Sequence, residues 1–265
     1  MVDITSPSNP IIKEIKSLYR KKGRWDKKLF IVEGVKMVKE CIDNSYPLKY
    51  IIYSQDLFNI DGGKELFDSI SSLQNLKCVP AKLFREISEM GTPQGILAIA
   101  KFRVNTMNDI NKEDNPFLLL LDGVQDPGNM GTIIRTADAF GIDGVVITKG
   151  CVDVYNPKVV RATMGSIFRV PIYHEEDGIK LIKEFKKNKI KTYSTSLKGE
   201  KYIQNVDFKE GGLLIIGNES KGVSETLESI ADDLIKIPMA GGAESLNVAV
   251  ASSIIMYEVM RQRIQ

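Results

Sequence analysis

The feature that most restricts the fold of this chain is a series of short apolar segments in its second half. The first, Phe117–Leu121, is apolar at every position, which is typical of a parallel strand buried on both faces. The others follow at intervals that leave room for a helix between strands. These segments predict an α/β domain with a mostly parallel sheet and helices on both faces. The later predicted strands are Val145–Thr148, Val170–Tyr173, Ile190–Ser194, Leu213–Ile216 and Leu234–Ile237.

The first half of the chain predicts a second, smaller α/β unit. Four short strands alternate there with helical segments. A polar stretch over residues 103–115 then ends at Pro116 and is the best candidate for a domain boundary. We therefore expect one domain over residues 1–105 and a second over residues 116–265. The predicted strands of the first domain are Leu29–Val32, Tyr50–Tyr53, Leu76–Val79 and Gly95–Ala100.

The composition argues against several classes of protein. The one histidine, His174, follows an apolar segment and is interpreted as an exposed residue at the end of a strand, not as a catalytic base. Three distant cysteines, Cys41, Cys78 and Cys151, favour reduced thiols in a cytoplasmic protein over disulfides or a zinc site. No apolar run approaches the roughly 20 residues that cross a bilayer. The N-terminus has no apolar core of the secretory type.

The N-terminal segment is basic although the whole chain carries a net charge of only +2. Residues 1–28 contain eight Lys or Arg against three acidic residues, on a helical pattern that begins near Asn9 and Pro10. Two interpretations stay open here. The charges either form the solvated face of a helix or bind the phosphate backbone of a nucleic acid. In the second case Lys21, Lys22 and Arg24 are the candidate contacts.

Three polar or glycine-rich loops follow predicted strands of the second half. Ligands of parallel sheets bind beyond the carboxyl ends of the strands, so these loops are the candidate site. None contains the dinucleotide pattern G-x-G-x-x-G, and Val223 stands where a phosphate-binding loop needs lysine. A nucleotide-dependent oxidoreductase is therefore disfavoured. The loops are Asp122–Arg135, Gly217–Gly222 and Ile237–Asn247.

The polar residues of the first loop have two interpretations each. Asn129 either caps the following helix or fixes the loop. Arg135, four residues after Gly131, is expected near the same end of that helix. It either forms a surface ion pair with Asp138 or Asp143, or it acts on a ligand.

The second and third loops add three more candidates. Glu219 is either a hydrogen-bond acceptor that stabilises its loop or a carboxylate of the site. Ser245 and Asn247 lie where a helix begins, so capping is the simpler interpretation for both. Three such loops on one edge of a sheet are more specific than any one of them.

The loops also carry a resemblance to a known family. The segments DPGNMGTIIRTADAFG, IIGNESKG and IPMAGGAESLNVAVASSI occur in this order. They are similar to the three signature motifs of the SpoU family of RNA 2′-O-ribose methyltransferases, within the SPOUT class. The N-terminal segment, with its basic helix and FIVEG at Phe30–Gly34, resembles the substrate-binding α/β domain of many family members.

The resemblance implies a fold and a site. It implies a trefoil knot in the C-terminal domain and S-adenosylmethionine held largely by backbone groups, with no metal. Arg135 would be the principal catalytic residue, near the cofactor of a partner chain in a homodimer. The residues themselves predict a dimer face around Val248, Ile255 and Val259, because this helix carries more apolar surface than one buried face needs. The catalytic set would be completed by Asn129, Glu219, Ser245 and Asn247. The cofactor would be lined by Thr195, Gly217, Ile237, Met239 and Leu246.

The substrate is less closely specified. A basic extra domain fits a structured RNA, and the resemblance favours ribosomal RNA over transfer RNA. Two alternatives remain, a transfer RNA 2′-O-methyltransferase and a non-catalytic RNA-binding protein with the same fold. The intact Arg135, Asn129 and Asn247 speak against the second. Neither the RNA nucleotide nor the base can be read from the sequence.

Overall fold

The computed structural model describes residues 3–103, 105–110, 115–175 and 177–264, which form two compact units. The first unit contains the chain up to Phe102 together with Tyr155–Phe168. The second contains Arg103–Val154 and the chain from Arg169 onward. The predicted division at residues 105 and 116 had placed the segment Tyr155–Phe168 in the second domain, whereas it packs in the first unit. Residues 104 and 111–114 of the predicted boundary lie outside the described residues.

The sheet of the first unit has four strands in the order β1-β4-β2-β3. Strand β4 runs antiparallel to both β1 and β2, and β2 and β3 are parallel. All four strands lie where the sequence predicts them, with ends that differ by one or two residues. Their bounds are β1 Leu29–Glu33, β2 Leu48–Tyr53, β3 Leu76–Cys78 and β4 Ile96–Lys101.

The sheet of the second unit has seven strands in the order β7-β6-β5-β10-β8-β11-β9. Every neighbouring pair is parallel, which confirms the predicted sheet. The short edge strand β9 was not predicted, because its two residues are exposed and form no apolar run. The strands are β5 Phe117–Leu121, β6 Gly144–Ile147, β7 Ile172–His174, β8 Thr192–Thr195, β9 Lys201–Tyr202, β10 Gly212–Ile216 and β11 Asp233–Lys236.

Helices cover the sheets and connect their strands. As predicted, His174 is exposed at the end of β7. Among the described helices, none is long and apolar enough to cross a bilayer. The α-helices are α1 Pro10–Leu18, α2 Lys21–Lys27, α3 Val35–Asp43, α4 Gly63–Ile70, α5 Ala81–Ile87, α6 Pro127–Ala139, α7 Pro157–Ala162, α8 Gly178–Lys187, α9 Glu225–Ile230 and α10 Val248–Arg263.

Helix α1 shows how the sequence determines local structure. The Asn9 side chain accepts a hydrogen bond from the amide of Ile11 at 2.9 Å, and Pro10 occupies the first helical position. The apolar stripe Ile12, Ile15 and Leu18 is buried against the sheet and α5. Burial of each such side chain stabilises the fold by about 1.5–3 kcal/mol.

The segment Tyr155–Phe168 supplies aromatic side chains to the core of the first unit. The ring of Tyr155 stacks on Phe102 at a centroid distance of 3.8 Å and lies 4.9 Å from Phe30. The ring of Phe168 lies 5.0 Å from Tyr46. The first unit is therefore completed by residues that follow β6 in the sequence.

Helix α10 corrects the predicted dimer face. Ile255 and Val259 are each 1% exposed and pack inside their own unit, and Val248 is half-buried. The exposed apolar residues lie on the opposite side of the helix and form a stripe of Val250, Ile254 and Tyr257, here called the α10 stripe. Sequence periodicity could not separate the two faces, because α10 is apolar nearly all round.

Candidate active site

The sheet order brings the three candidate loops together. Strands β5, β10, β8 and β11 are neighbours, and Leu121 of β5 pairs with Ile216 of β10. The loops that follow these parallel strands therefore leave the sheet at the same edge.

Helix α6 begins earlier than the sequence suggested. Its N-cap is Asp126, whose Oδ1 accepts a hydrogen bond from the amide of Asn129 at 2.8 Å. Gly128 and Gly131 thus lie within the first turns of the helix and not in a loop. Because Asp126 caps the helix, the side chain of Asn129 is available to fix the loops.

Glu219 of the second loop ties that loop to the first. Its carboxylate accepts hydrogen bonds from the amide of Asp126 at 2.9 Å, from the amide of Gln125 at 3.2 Å and from Asn129 Nδ2 at 3.1 Å. Partial burial raises the pKa of Glu219, but these hydrogen bonds outweigh burial and hold the pKa below its ordinary value. Glu219 is therefore an ionised anchor whose oxygens are occupied by donors.

Asn247 joins the third loop to the other two. Its Nδ2 donates to Asn129 Oδ1 at 3.0 Å, while its own Oδ1 accepts from the amide of Ala249 at 2.9 Å and caps α10. The Asn247 side chain therefore both caps α10 and links the third loop to the first. We call the hydrogen-bonded series Glu219–Asn129–Asn247 the three-loop network.

Two residues that sequence reasoning missed reinforce this edge. Asp122 Oδ2 accepts a hydrogen bond from the amide of Ser224 at 2.8 Å. Asn218 Nδ2 donates to the carbonyl of Gly123 at 2.8 Å, and its Oδ1 accepts from the amide of Ser220 at 3.0 Å. The sequence did contain a sign of the role of Asn218, because an asparagine directly after a glycine often accepts hydrogen bonds from the backbone amides that follow it in a turn.

Gly217 is required by a close approach of backbone to backbone. A Cβ at this position would lie 2.0 Å from the carbonyl carbon of Gly222 and 2.0 Å from the nitrogen of Val223. The loop closes on itself through Asn218 and Gly222, whose amides and carbonyls exchange two hydrogen bonds at 2.9 and 3.0 Å. Only glycine fits this closed loop.

Arg135 is exposed on α6, eight residues after the helix starts, which is roughly 12 Å along its axis. The prediction that it lies near the start of the helix is therefore wrong. Within the described part of the chain it makes no hydrogen bond or ion pair. Asp138 binds Arg169 at 2.8 Å, and Asp143 accepts from the amide of Phe117 at 2.7 Å. The surface ion pair that the sequence left open is thus not formed.

The positions expected to line the cofactor border the same edge. Thr195 Oγ1 donates to the carbonyl of Ile215 at 3.1 Å, and Ile237 is half-buried. Met239 and Leu246 expose 36% and 37% of their surface, so both side chains are available to a ligand or partner.

The third loop differs from the other two in its hydrogen bonding. Within the described residues, the peptide groups and side chains of residues 239–246, including Ser245, form no intrachain hydrogen bond. Such a loop fits a cofactor held through backbone groups. No cluster of three or more His, Cys, Asp or Glu able to hold a metal is found in the described ranges.

The candidate RNA contacts of the first unit separate into two kinds. Lys21 and Lys22 are exposed on α2. Arg24, by contrast, is 2% exposed, and its Nη1 donates to the carbonyls of Leu18 and Tyr19 at 2.7 and 3.0 Å. Arg24 therefore satisfies the C-terminal carbonyls of α1 and is not a surface contact. A charge count cannot distinguish the two kinds.

Comparison with known proteins agrees with this geometry. Residues 116–257 match the profile of the SpoU rRNA Methylase family, and residues 9–98 match the MRM3-like substrate binding domain. The chain is 34% identical to the 23S rRNA (guanosine(2553)-2′-O)-methyltransferase RlmP of Bacillus subtilis (strain 168), over 98% of this chain and 99% of that protein.

Two similar solved structures were crystallised with the cofactor AdoMet. The AdoMet-bound rRNA methyltransferase from Sinorhizobium meliloti has a TM-score of 0.83 at 32% identity, covering 97% of both chains. The SpoU methyltransferase AviRb from Streptomyces viridochromogenes, in complex with AdoMet, has a TM-score of 0.86 at 27% identity, covering 97% of this chain and 99% of that one. The resemblance of the three loop motifs is thereby confirmed, and since the family profile spans more than half of the chain, the protein belongs to the SpoU rRNA methylase family.

Proposed function

We propose that this protein transfers a methyl group from S-adenosylmethionine to a ribose 2′-hydroxyl of ribosomal RNA. The observation that carries the proposal is the three-loop network, which ties the three family motifs together at the carboxyl edge of the sheet. The B. subtilis relative is named for 23S rRNA, which favours ribosomal over transfer RNA.

The bound sulfonium cofactor would supply an activated methyl group and a neutral leaving group. The protein must then position the 2′-hydroxyl and stabilise the negative charge that develops on its oxygen. Arg135 is the candidate, since its guanidinium has no acceptor in its own described chain and can donate to the hydroxyl and an adjacent phosphate. A guanidinium stays protonated in proteins, so we assign Arg135 positioning and charge stabilisation, and the proton of the 2′-hydroxyl leaves to solvent water.

The three-loop network has a supporting role in this proposal. Because Glu219 is ionised and its oxygens accept protein N–H groups, it holds the loops and does not act as the base. Asn129 and Asn247 connect Glu219 by hydrogen bonds to the beginnings of helices α6 and α10 and so hold both helices in place. Ser245 makes no hydrogen bond in the described residues and so remains available to orient the ribose.

We further propose that the protein is a homodimer and that the α10 stripe forms its interface. Val250, Ile254 and Tyr257 expose 48%, 36% and 50% of their surface on one side of α10. Helix α6 lies beside it, as shown by Thr136 Oγ1 at 3.1 Å from Ser253 Oγ. An interface on this side would bring Arg135 of one chain close to its partner.

Ile254→Glu is expected to convert the dimer to a monomer, because it places a charge at the centre of the apolar stripe. Light scattering should then give 29.6 kDa in place of twice that mass. Leu73→Glu, at an equally exposed apolar position of the first unit, is the control and should leave the mass unchanged. A wild-type mass of 29.6 kDa at micromolar concentration would refute the dimer.

Two other family properties belong to the same proposal. We place the trefoil knot in the segment that contains the second and third loops, and the protein in the cytoplasm. The compartment is supported by the cysteines, since none of Cys41, Cys78 and Cys151 forms a disulfide.

The proposed function is tested by mapping 2′-O-methyl groups on ribosomal and transfer RNA from cells with and without this protein. One ribosomal position should lose its methyl group without the protein. Purified protein with labelled S-adenosylmethionine should restore that group on RNA from the deleted cells. Loss of a transfer RNA methyl group would establish the alternative substrate, and no change in either RNA would favour a non-catalytic RNA-binding protein.

A further inference from the structure

Arg161 of α7 is a half-buried cation without an acceptor. In the described residues its guanidinium forms no hydrogen bond and no ion pair. Three other arginines of the described residues pair with a carboxylate, since Arg85 binds Asp56, Arg169 binds Asp138 and Arg261 binds Glu258. Its nitrogens are not among the buried unpaired atoms of the described residues, so the five N–H donors are accessible to a ligand from outside.

Glu33, a buried acidic residue of the first unit, does not pair with Arg161 in the described residues. Glu33 is 4% exposed, its Oε1 accepts a hydrogen bond from the Ser88 hydroxyl, and its Oε2 has no partner among the described residues. Burial raises the pKa of Glu33, and the Ser88 hydrogen bond and the nearby Arg161 guanidinium oppose this only in part. One Glu33 oxygen is thus engaged by Ser88 and the other is buried, and neither pairs with the Arg161 guanidinium in the described residues.

Arg161 also lies next to the basic surface of the first unit. Burial raises the pKa of the Tyr19 hydroxyl, and the charge of Arg161 opposes that shift. The same hydroxyl donates to the carbonyl of Ile87 at 2.6 Å. Tyr19 is followed directly by exposed residues Arg20, Lys21 and Lys22. Arg161 therefore comes from the methylase half of the sequence but extends a cationic surface built by α1 and α2.

We propose that Arg161 binds a backbone phosphate of the substrate RNA and anchors it to the first unit. This inference rests on the proposed function for the identity of the ligand. A guanidinium suits this task because its planar fork donates two parallel hydrogen bonds to phosphate oxygens. Lys21 and Lys22 would continue the contact as exposed point charges.

The test measures binding of purified full-length protein to total ribosomal RNA by filter retention across a salt series. Arg161→Gln should weaken binding about tenfold and reduce the slope of log affinity against log salt by about one. Lys158→Gln, on the exposed face of the same helix, is the matched control and should change affinity less than about twofold. The double variant Lys21→Gln, Lys22→Gln should reduce the slope by about two. Cofactor binding should be unchanged in all of them.

A purely structural role makes a different set of predictions. If Arg161 instead pairs with Glu33 in solution, Arg161→Gln and Glu33→Gln should each lower the melting temperature, and the double variant should lose no more than either. That result, with unchanged RNA affinity, would overturn the proposal. If Arg161→Gln destabilises the protein, Arg161→Lys is used in its place. It keeps the positive charge but loses the two parallel N–H donors of the guanidinium, so it should still bind RNA less tightly than wild type.

Exposed Glu89 offers an independent check, because it lies close enough to raise the pKa of Glu33 and Tyr19 and would repel a phosphate at Arg161. Glu89→Gln should therefore tighten RNA binding, whereas weaker or unchanged binding contradicts a phosphate at this place. Methyl transfer by the wild type is measured on the same samples. RNA binding that depends on Arg161 without any methyl transfer would refute the proposed function alone.

Discussion

Arg135→Ala is expected to abolish methyl transfer while leaving S-adenosylmethionine binding nearly unchanged. Arg135 projects from α6, whereas the loops proposed to hold the cofactor follow β10 and β11. The variant therefore loses a group that acts mainly in the transition state, which lowers turnover and not ground-state binding. Removal of one preorganised charge stabiliser typically costs about 100–1,000-fold in rate. Single-turnover methylation and calorimetric titration of the cofactor measure the two effects separately.

Two further variants make the Arg135 test specific. Arg135→Lys should restore little activity, because a point charge cannot reproduce the planar fork. Arg169→Ala is the control, since it removes an exposed arginine that pairs with Asp138 of the same helix, an interaction worth less than about 1 kcal/mol. Near-normal turnover of Arg135→Ala on the true RNA would show that Arg135 is an ordinary surface residue.

The sheet could be predicted from the sequence because buried parallel strands are apolar at nearly every position. Phe117–Leu121 is the clearest case, and its bounds in the structure are those predicted. The loops could be located for the same reason, since a loop begins where such a strand ends. Strand β9 could not be predicted, because two exposed residues at a sheet edge, a lysine and a tyrosine, are too few to show a periodic pattern.

Side-chain roles were harder to predict, because they depend on contacts between distant parts of the chain. Arg24 was counted with its exposed neighbours, although it is buried against the end of α1. Asn129 was a plausible helix cap until Asp126 was found in that place. The Asn129–Asn247 hydrogen bond joins residues 118 positions apart, a separation over which no local pattern carries information.

Gly217→Ala is expected to weaken cofactor binding strongly. The added methyl group would lie 2.0 Å from the backbone of Gly222 and Val223, and backbone atoms cannot move aside as a flexible side chain can. Opening the loop breaks the two hydrogen bonds between Asn218 and Gly222 and displaces the neighbouring Glu219. Two lost backbone hydrogen bonds at about 1 kcal/mol each, with added strain, correspond to a loss of roughly 30–100-fold in affinity.

The control for this variant is Gly91→Ala, an exposed glycine of the first unit. A Cβ at Gly91 meets nothing within 4 Å, so this variant makes the same chemical change without the close approach. It should bind S-adenosylmethionine within about threefold of wild type, as expected for a surface change. Gly217→Ala binding as tightly as Gly91→Ala would mean that the closed second loop does not form the cofactor site.

Co-expression of the Gly217→Ala and Arg135→Ala chains then decides whether Arg135 acts across the dimer. If it does, each mixed dimer contains one intact site, made from the cofactor loops of one chain and Arg135 of the other. Random pairing makes half of the dimers mixed, and each mixed dimer has one intact site out of two. A quarter of all sites are then intact, so the preparation should recover roughly a quarter of the wild-type rate. If Arg135 acts within its own chain, every site in the mixture is defective, and the rate should stay at the level of the separate variants.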